Sequence, residues 1–190
     1  MIPRLAVIAL LLSVALPAAA ENVEALTAET KKAVLPVVPK VVATMQETVA
    51  AKGATEAIPV CKEEAPRLIR EVRESTGWSI RRVSLKPRNA ERGTPDLWEA
   101  RVLANFNIRA AAGERPDTIE HAEVVNEDGR RYLRYMKALP TGDVCLKCHG
   151  PAESLDADLK TRLKASYADD QAVGYTKGQI RGALTVKRPL

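Results

Sequence analysis

The chain has 190 residues, 46% hydrophobic and 28% charged, the balance of an ordinary soluble globular protein with one core and room for an appended helical arm. Its net charge of +5 is spread along the sequence rather than gathered in blocks. That spread argues against nucleic acid as a partner and only weakly for an acidic partner or an anionic membrane face.

Residues 1–20 read as a secretory leader: one early cation at Arg4, an apolar run, a breaker at Pro17, and small residues at Ala18 and Ala20 that form an A-x-A cleavage site. The apolar run is short for a membrane span of about 20 residues. No cysteine follows it to take a lipid, and no later segment resembles a span. The expectation is an exported, periplasmic protein whose mature part, residues 21–190, is one domain without stable membrane insertion. Cleavage leaves 28 Lys and Arg against 24 Asp and Glu.

Residues 22–52 are rich in Ala, Val, Glu and Lys and read as helix, kinked or split by Pro36 and Pro39 and closed by Gly53. A second helix is expected from Thr55, a candidate cap, to Gly77, with Pro59 tolerable in its first turn and Pro66 a source of bending. "WSIRRVSL", residues 78–85, alternates and is β-branched, so it reads as a strand. "KPRNAERGTP" is turn material, and "DLWEARVLANFNI" carries Leu97, Trp98, Val102 and Phe106 at helical spacing. "EHAEVVNEDGRRYLRYMKAL" predicts a β-hairpin turning at Asp128 and Gly129. Pro140, Thr141 and Gly142 make a further turn before a cysteine-bearing loop. "LDADLKTRLKAS" predicts a helix, and "GQIRGALTVKRPL" a last strand of about six residues. This order predicts an α+β domain: an antiparallel sheet with one face covered by an N-terminal helical arm.

The cysteine loop, "CLKCH", carries the chemistry. Cys145 and Cys148 followed directly by His149, in an exported chain, form the attachment signature of c-type haem. Both thiols add to the two vinyl groups of the porphyrin as thioethers, and the adjacent imidazole reaches the iron. The other readings fit less well. A thioredoxin-like pair needs a βαβ context that the pattern lacks. A zinc site of Cys61, Cys145, Cys148 and His149 would require adjacent Cys148 and His149 to converge on one tetrahedron. A Cys145–Cys148 disulfide would close a tiny, strained loop. One covalently attached haem is therefore the expected cofactor.

Candidates for a second axial ligand are His121, Met45, Met136 and Cys61. His121, the only other histidine, falls at the mouth of the hairpin, where a surface role explains it equally well. Met136 and Met45 lie in apolar patterns that suit core packing. Cys61 lacks a disulfide partner once the haem takes two thiols, and it lies in the first two turns of a helix, where the dipole favours thiolate. Ligand and inert buried thiol both remain open for it on these grounds.

"AIPVCKEEAP", "RRVSLKPRN", "YMKALPTGDVCLKCHG" and "AVGYTKGQIRGALTV" together resemble, in order, a family of exported or membrane-linked single-haem c-type proteins, long known only as a domain of unknown function. The resemblance runs nearly end to end over the mature chain. It implies a PAS-like haem domain, found alone or as a sensing module, and axial ligation by a histidine and a cysteine, which fall here on His149 and Cys61. Ala168 departs from the proline of many relatives, in a loop that does not touch the ligands. The implied function is haem-based redox or gas sensing, or electron transfer, without substrate turnover. It would act through a redox or signalling protein partner, with carbon monoxide or nitric oxide as conceivable small ligands. Two rivals are a gas-binding four-helix cytochrome with an open distal site, which the hairpin and final strand disfavour, and a peroxidase-like enzyme, for which only His121 could serve as base.

Overall fold

The structure, a computed structural model, describes residues 22–190; the leader expected over residues 1–20 lies outside them. The N-terminal arm is split in two. Asn22 caps α1 (Val23–Val34) by accepting from the Ala25 N–H, and α2 (Val37–Lys52) restarts after Pro36, which separates the two helices. Pro39 sits in the first turn of α2, where its missing N–H breaks no helical bond.

The second predicted helix is built from three kinds of turn. A 3₁₀ turn (Thr55–Ala57) and a π turn (Val60–Glu64) precede α3 (Ala65–Thr76), which ends on left-handed Gly77. In the π turn the Ala65 N–H reaches back to the Val60 carbonyl. Pro66 follows at once; it donates no hydrogen bond and crowds the carbonyl four residues back, which disfavours regular α pitch there.

The remaining order is β1 (Ser79–Val83), a short α4 (Ala90–Gly93), α5 (Leu97–Ala111), β2 (Glu120–Glu127), β3 (Arg130–Pro140), α6 (Asp143–His149), a 3₁₀ turn (Ala152–Ser154), α7 (Ala157–Ser166) and β4 (Ile180–Pro189). Four details differ from the sequence reading. Strand β1 is shorter than residues 78–85, the expected turn segment holds the short helix α4, β4 spans ten residues rather than about six, and the cysteine loop is a seven-residue helix. The length of β4 follows from its place: it pairs with both β1 and β3, so both its edges are satisfied.

The four strands form one antiparallel sheet in the order β1-β4-β3-β2. Asp128 and Gly129 both have positive φ, and Glu127 faces Arg130, as a two-residue hairpin requires. The helical arm covers one sheet face, where Val34 packs with Ile80, Tyr135, Leu184 and Val186 and with partly buried residues of α2 and α3. On the other face, α5 sets Val102, Leu103 and Phe106 against Val83, Met136, Ala138 and Ala183. The architecture is thus the expected α+β fold with an antiparallel sheet and N-terminal helices, consistent with a PAS-like fold. A sheet with helices on both faces excludes the four-helix cytochrome. Among the described residues, no helix is long and apolar enough to cross a membrane.

Buried charge fastens α5 to the sheet. The α5 N-terminus carries a capping box between Asp96 and Glu99. Glu99, 3% exposed, also accepts from Thr185 Oγ1 at 2.9 Å and pairs with Arg81 and, at 3.5 Å, with Arg134. Arg134 continues to Asp96 at 2.7 Å and Glu127 at 2.8 Å, with its guanidinium over Trp98.

Candidate functional site

Cys145 and Cys148 stand three residues apart on α6, one turn above the other on the same side, and His149 is the helix's last residue. The helix ends at Gly150, whose extended ψ of −171° suits the Pro151 that follows, and a Cβ on Gly150 would lie 2.7 Å from the Leu146 carbonyl oxygen. Beneath α6, Cys148 packs with Ile58, Leu155, Leu159 and Leu163 in a small core of its own. All three cysteines are free thiols.

Cys148 and His149 open onto a narrow cleft of about 310 Å³, open mouth included. Its other walls come from distant parts of the chain: Met45 of α2, Cys61 of the π turn, Ala57 and Ile58 before it, Arg88 of the β1–α4 connection, and Leu163 and Tyr167 at the end of α7. Cys145 lies beside the cleft rather than on its wall, close enough for its sulfur to act electrostatically on Cys61.

His149 is 7% exposed, and its Nδ1 stands 2.6 Å from the Ala172 carbonyl oxygen. A carbonyl can only accept, so Nδ1 carries the hydrogen and Nε2 keeps its lone pair, the arrangement typical of a metal-binding imidazole. Burial, and then the repulsion of Arg181, Arg88 and Arg82, holds the ring well below its ordinary pKa and hence neutral at pH 7. The segment around Ala172 is itself fastened: Tyr175 N–H donates to the His149 carbonyl at 2.9 Å, and Gly174 N–H to that of Gly150 at 2.8 Å. Arg88 donates to the Cys148 carbonyl at 2.7 Å while its Nε lies 2.9 Å from Asp170 Oδ2.

Burial also raises the Cys61 thiol above its ordinary value; the charges of Arg82, Arg88 and Arg181 pull the other way without winning. The helix-end argument for a free thiolate at Cys61 therefore fails, because the residue sits half-buried in a π turn rather than at an exposed α-helix start. Burial likewise raises the Cys148 thiol.

The remaining ligand candidates separate cleanly. Met136 is fully buried in the main core. His121 is a residue of β2 rather than of a loop, and lines a different, open groove of about 700 Å³ between α5 and that edge strand, 5.7 Å from the Trp98 ring. That groove is larger, but no cysteine lines it. Met45 does share the cleft with Cys61. Among the described residues, no three His, Cys, Asp or Glu side chains converge as a metal site built from them alone would require, so the Cys₃His zinc set is not assembled. Sequence reasoning gave no role to the Ala172 carbonyl, Arg88 or Arg181; all three lie in the quoted stretches "RRVSLKPRN" and "AVGYTKGQIRGALTV".

The Tll0287-like family profile matches residues 15–189. The chain belongs to the Tll0287-like family. The crystal structure of the cyanobacterial heme-protein Tll0287 superposes on it with a TM-score of 0.69 at 20% identity, over 89% of this chain and 97% of that one. At that identity the likeness is one of fold. No curated protein sequence matches the chain.

Proposed function

We propose that this Tll0287-like chain is an exported, single-haem c-type protein that works in redox or gas sensing, or in electron transfer, rather than in substrate turnover. The observation that carries the reading is the cleft that Cys148, His149 and Cys61 all line, with the His149 Nδ1–H committed to Ala172 and Nε2 left free. The fold neighbour, itself a heme-protein, supports it. The donor set fits the group: Cys145 and Cys148 would hold it through two thioethers, and His149 Nε2 and Cys61 would be the residues offered to its iron. Bound there, a haem supplies a one-electron couple and a site for small gases.

The chain's own residues do the rest. Ala172 orients His149; Met45, Ile58, Leu163 and Tyr167 give the cleft largely apolar walls; Arg88 ties the cysteine helix to the 170–172 loop through Asp170. The π turn that carries Cys61 joins the helical arm to α3, which packs on the sheet, so a change of ligation at Cys61 would reach the arm and any protein partner seated on it. With His121 in the other groove, no second imidazole joins the cleft as a general base, which favours sensing or electron transfer over a peroxidase-like role.

The intact mass of the exported protein tests the reading. One haem added to the chain from Glu21 onward, retained through acid and organic extraction, is the expected result. An unmodified mass, or zinc in its place, overturns it.

A further inference from the structure

Arg181 of β4 is a cation 4% exposed, and among the described residues it makes no ion pair. Its Nη1 donates to Ser84 Oγ at 3.0 Å and to the Lys86 carbonyl at 3.3 Å, and its guanidinium lies 5.3 Å from the Tyr175 ring centre. Its Nε stands 3.2 Å from His149 Nδ1. Since that nitrogen already carries the hydrogen given to Ala172, the contact is a charge pressed against the imidazole edge and not a hydrogen bond. Burial and the neighbouring Arg82 push the Arg181 pKa down to about 9, which still leaves it charged at neutral pH. The backbone accepts a tight fit to place it: Gly182 has φ 156°, and a Cβ there would lie 2.3 Å from the Val83 carbonyl oxygen.

A buried cation without a carboxylate partner weakens a fold unless something else uses its charge. Arg82, Arg88 and Arg181 all bear on both His149 and Cys61, and the carboxylate nearest them, Asp170, is committed to Arg88 at 2.9 Å and acts on Arg181 only from beyond ion-pair distance. Such a site disfavours accumulated positive charge, and therefore the oxidised state of an iron held between these two side chains.

Resting on the haem reading above, we infer that Arg181 is a positioning residue whose buried charge, set against the back edge of His149, raises the site's reduction potential while bracing the imidazole. The couple is ferric to ferrous, one electron and no bond change; in the measurement dithionite supplies the electron through a redox dye.

The test is potentiometry of the haem-loaded full-length mature protein and of its Arg181→Gln, Arg181→Met and Arg181→Lys variants. Gln and Met remove the charge, and Gln keeps a hydrogen bond for Ser84, so a polar gap alone would separate the two. Both should shift the ferric-to-ferrous ratio at fixed potential about tenfold toward ferric, a fall of about 59 mV for a one-electron couple. Lys should stay within about threefold of the parent, and the low-spin EPR signature should persist in all three. A merely structural role would lower the melting temperature and leave the midpoint in place. Haem present with an unmoved midpoint, or Lys shifting as far as Gln, overturns this inference alone. Absence of covalent haem from the parent protein, read by mass, overturns the haem reading and takes the inference with it.

Discussion

Cys61 and Met45 enter the same cleft from different helical segments, and either sulfur could face His149 across it. They differ in charge. A thiolate neutralises ferric iron more than ferrous, whereas a thioether favours the ferrous state, so the two ligands move the potential in opposite directions. Burial keeps the unliganded Cys61 thiol protonated at neutral pH, so an iron would have to displace that proton on binding. With Cys61 as ligand, Cys61→Ala abolishes the low-spin thiolate EPR signal and raises the midpoint potential, while Met45→Leu leaves both in place. A low-spin signal without thiolate character that survives in Cys61→Ala, and is lost with a lowered midpoint in Met45→Leu, identifies Met45; an unchanged spectrum in both variants points elsewhere.

At the level of elements, two junctions hold the sheet and its helices in register. Where β4 passes β1, Gly182 packs its backbone against Val83 too closely for any Cβ. Gly182→Ala should cost roughly 2–4 kcal/mol and loosen the placement of Arg181, measured as a lower urea midpoint and a shifted haem potential in the same sample. Where α5 meets the sheet, Glu99 serves Thr185, Arg81, Arg134 and its own capping box. Glu99→Ala leaves a nearly buried guanidinium short of an anion and should cost about 3 kcal/mol by chemical denaturation, with the far-UV spectrum unchanged. Replacing exposed Glu71, by contrast, should change stability by no more than about 0.5 kcal/mol.

For the whole molecule, the response to acid runs largely through Arg134. Burial pushes the Asp96 carboxyl up, but the Glu99 backbone N–H and the Arg134 guanidinium outweigh it and hold the group below its ordinary 3.8. Hydrogen bonds from Lys187 and Arg134 hold Glu127 below its ordinary 4.5. Carboxyls with depressed folded values contribute stability that is complete above about pH 4.5 and is lost as pH falls through those values. Arg134→Met should therefore flatten the loss of stability below pH 4.5 as well as lowering stability at pH 7. Urea titrations at a series of pH values check this; a slope as steep as the parent's would mean that other carboxylates dominate.

What the sequence determined by itself is what short-range chemistry sets. The spacing of Cys145, Cys148 and His149 is covalent, and one helical turn is enough to stack the two thiols. The Asp128–Gly129 hairpin, the break at Pro36 and the Asp96 cap are likewise decided by φ preferences and neighbouring hydrogen bonds. The tertiary structure alone decided the rest: that β4 runs between β1 and β3, that Met45 and Cys61 share a cleft with His149 while His121 does not, and that the Ala172 carbonyl and the Arg181 charge meet one imidazole. Such meetings join residues far apart in the chain. They form because whole faces of sheet and helix bury together, and a pattern of period 2 or 3.6 shows which face is buried but not which face it meets.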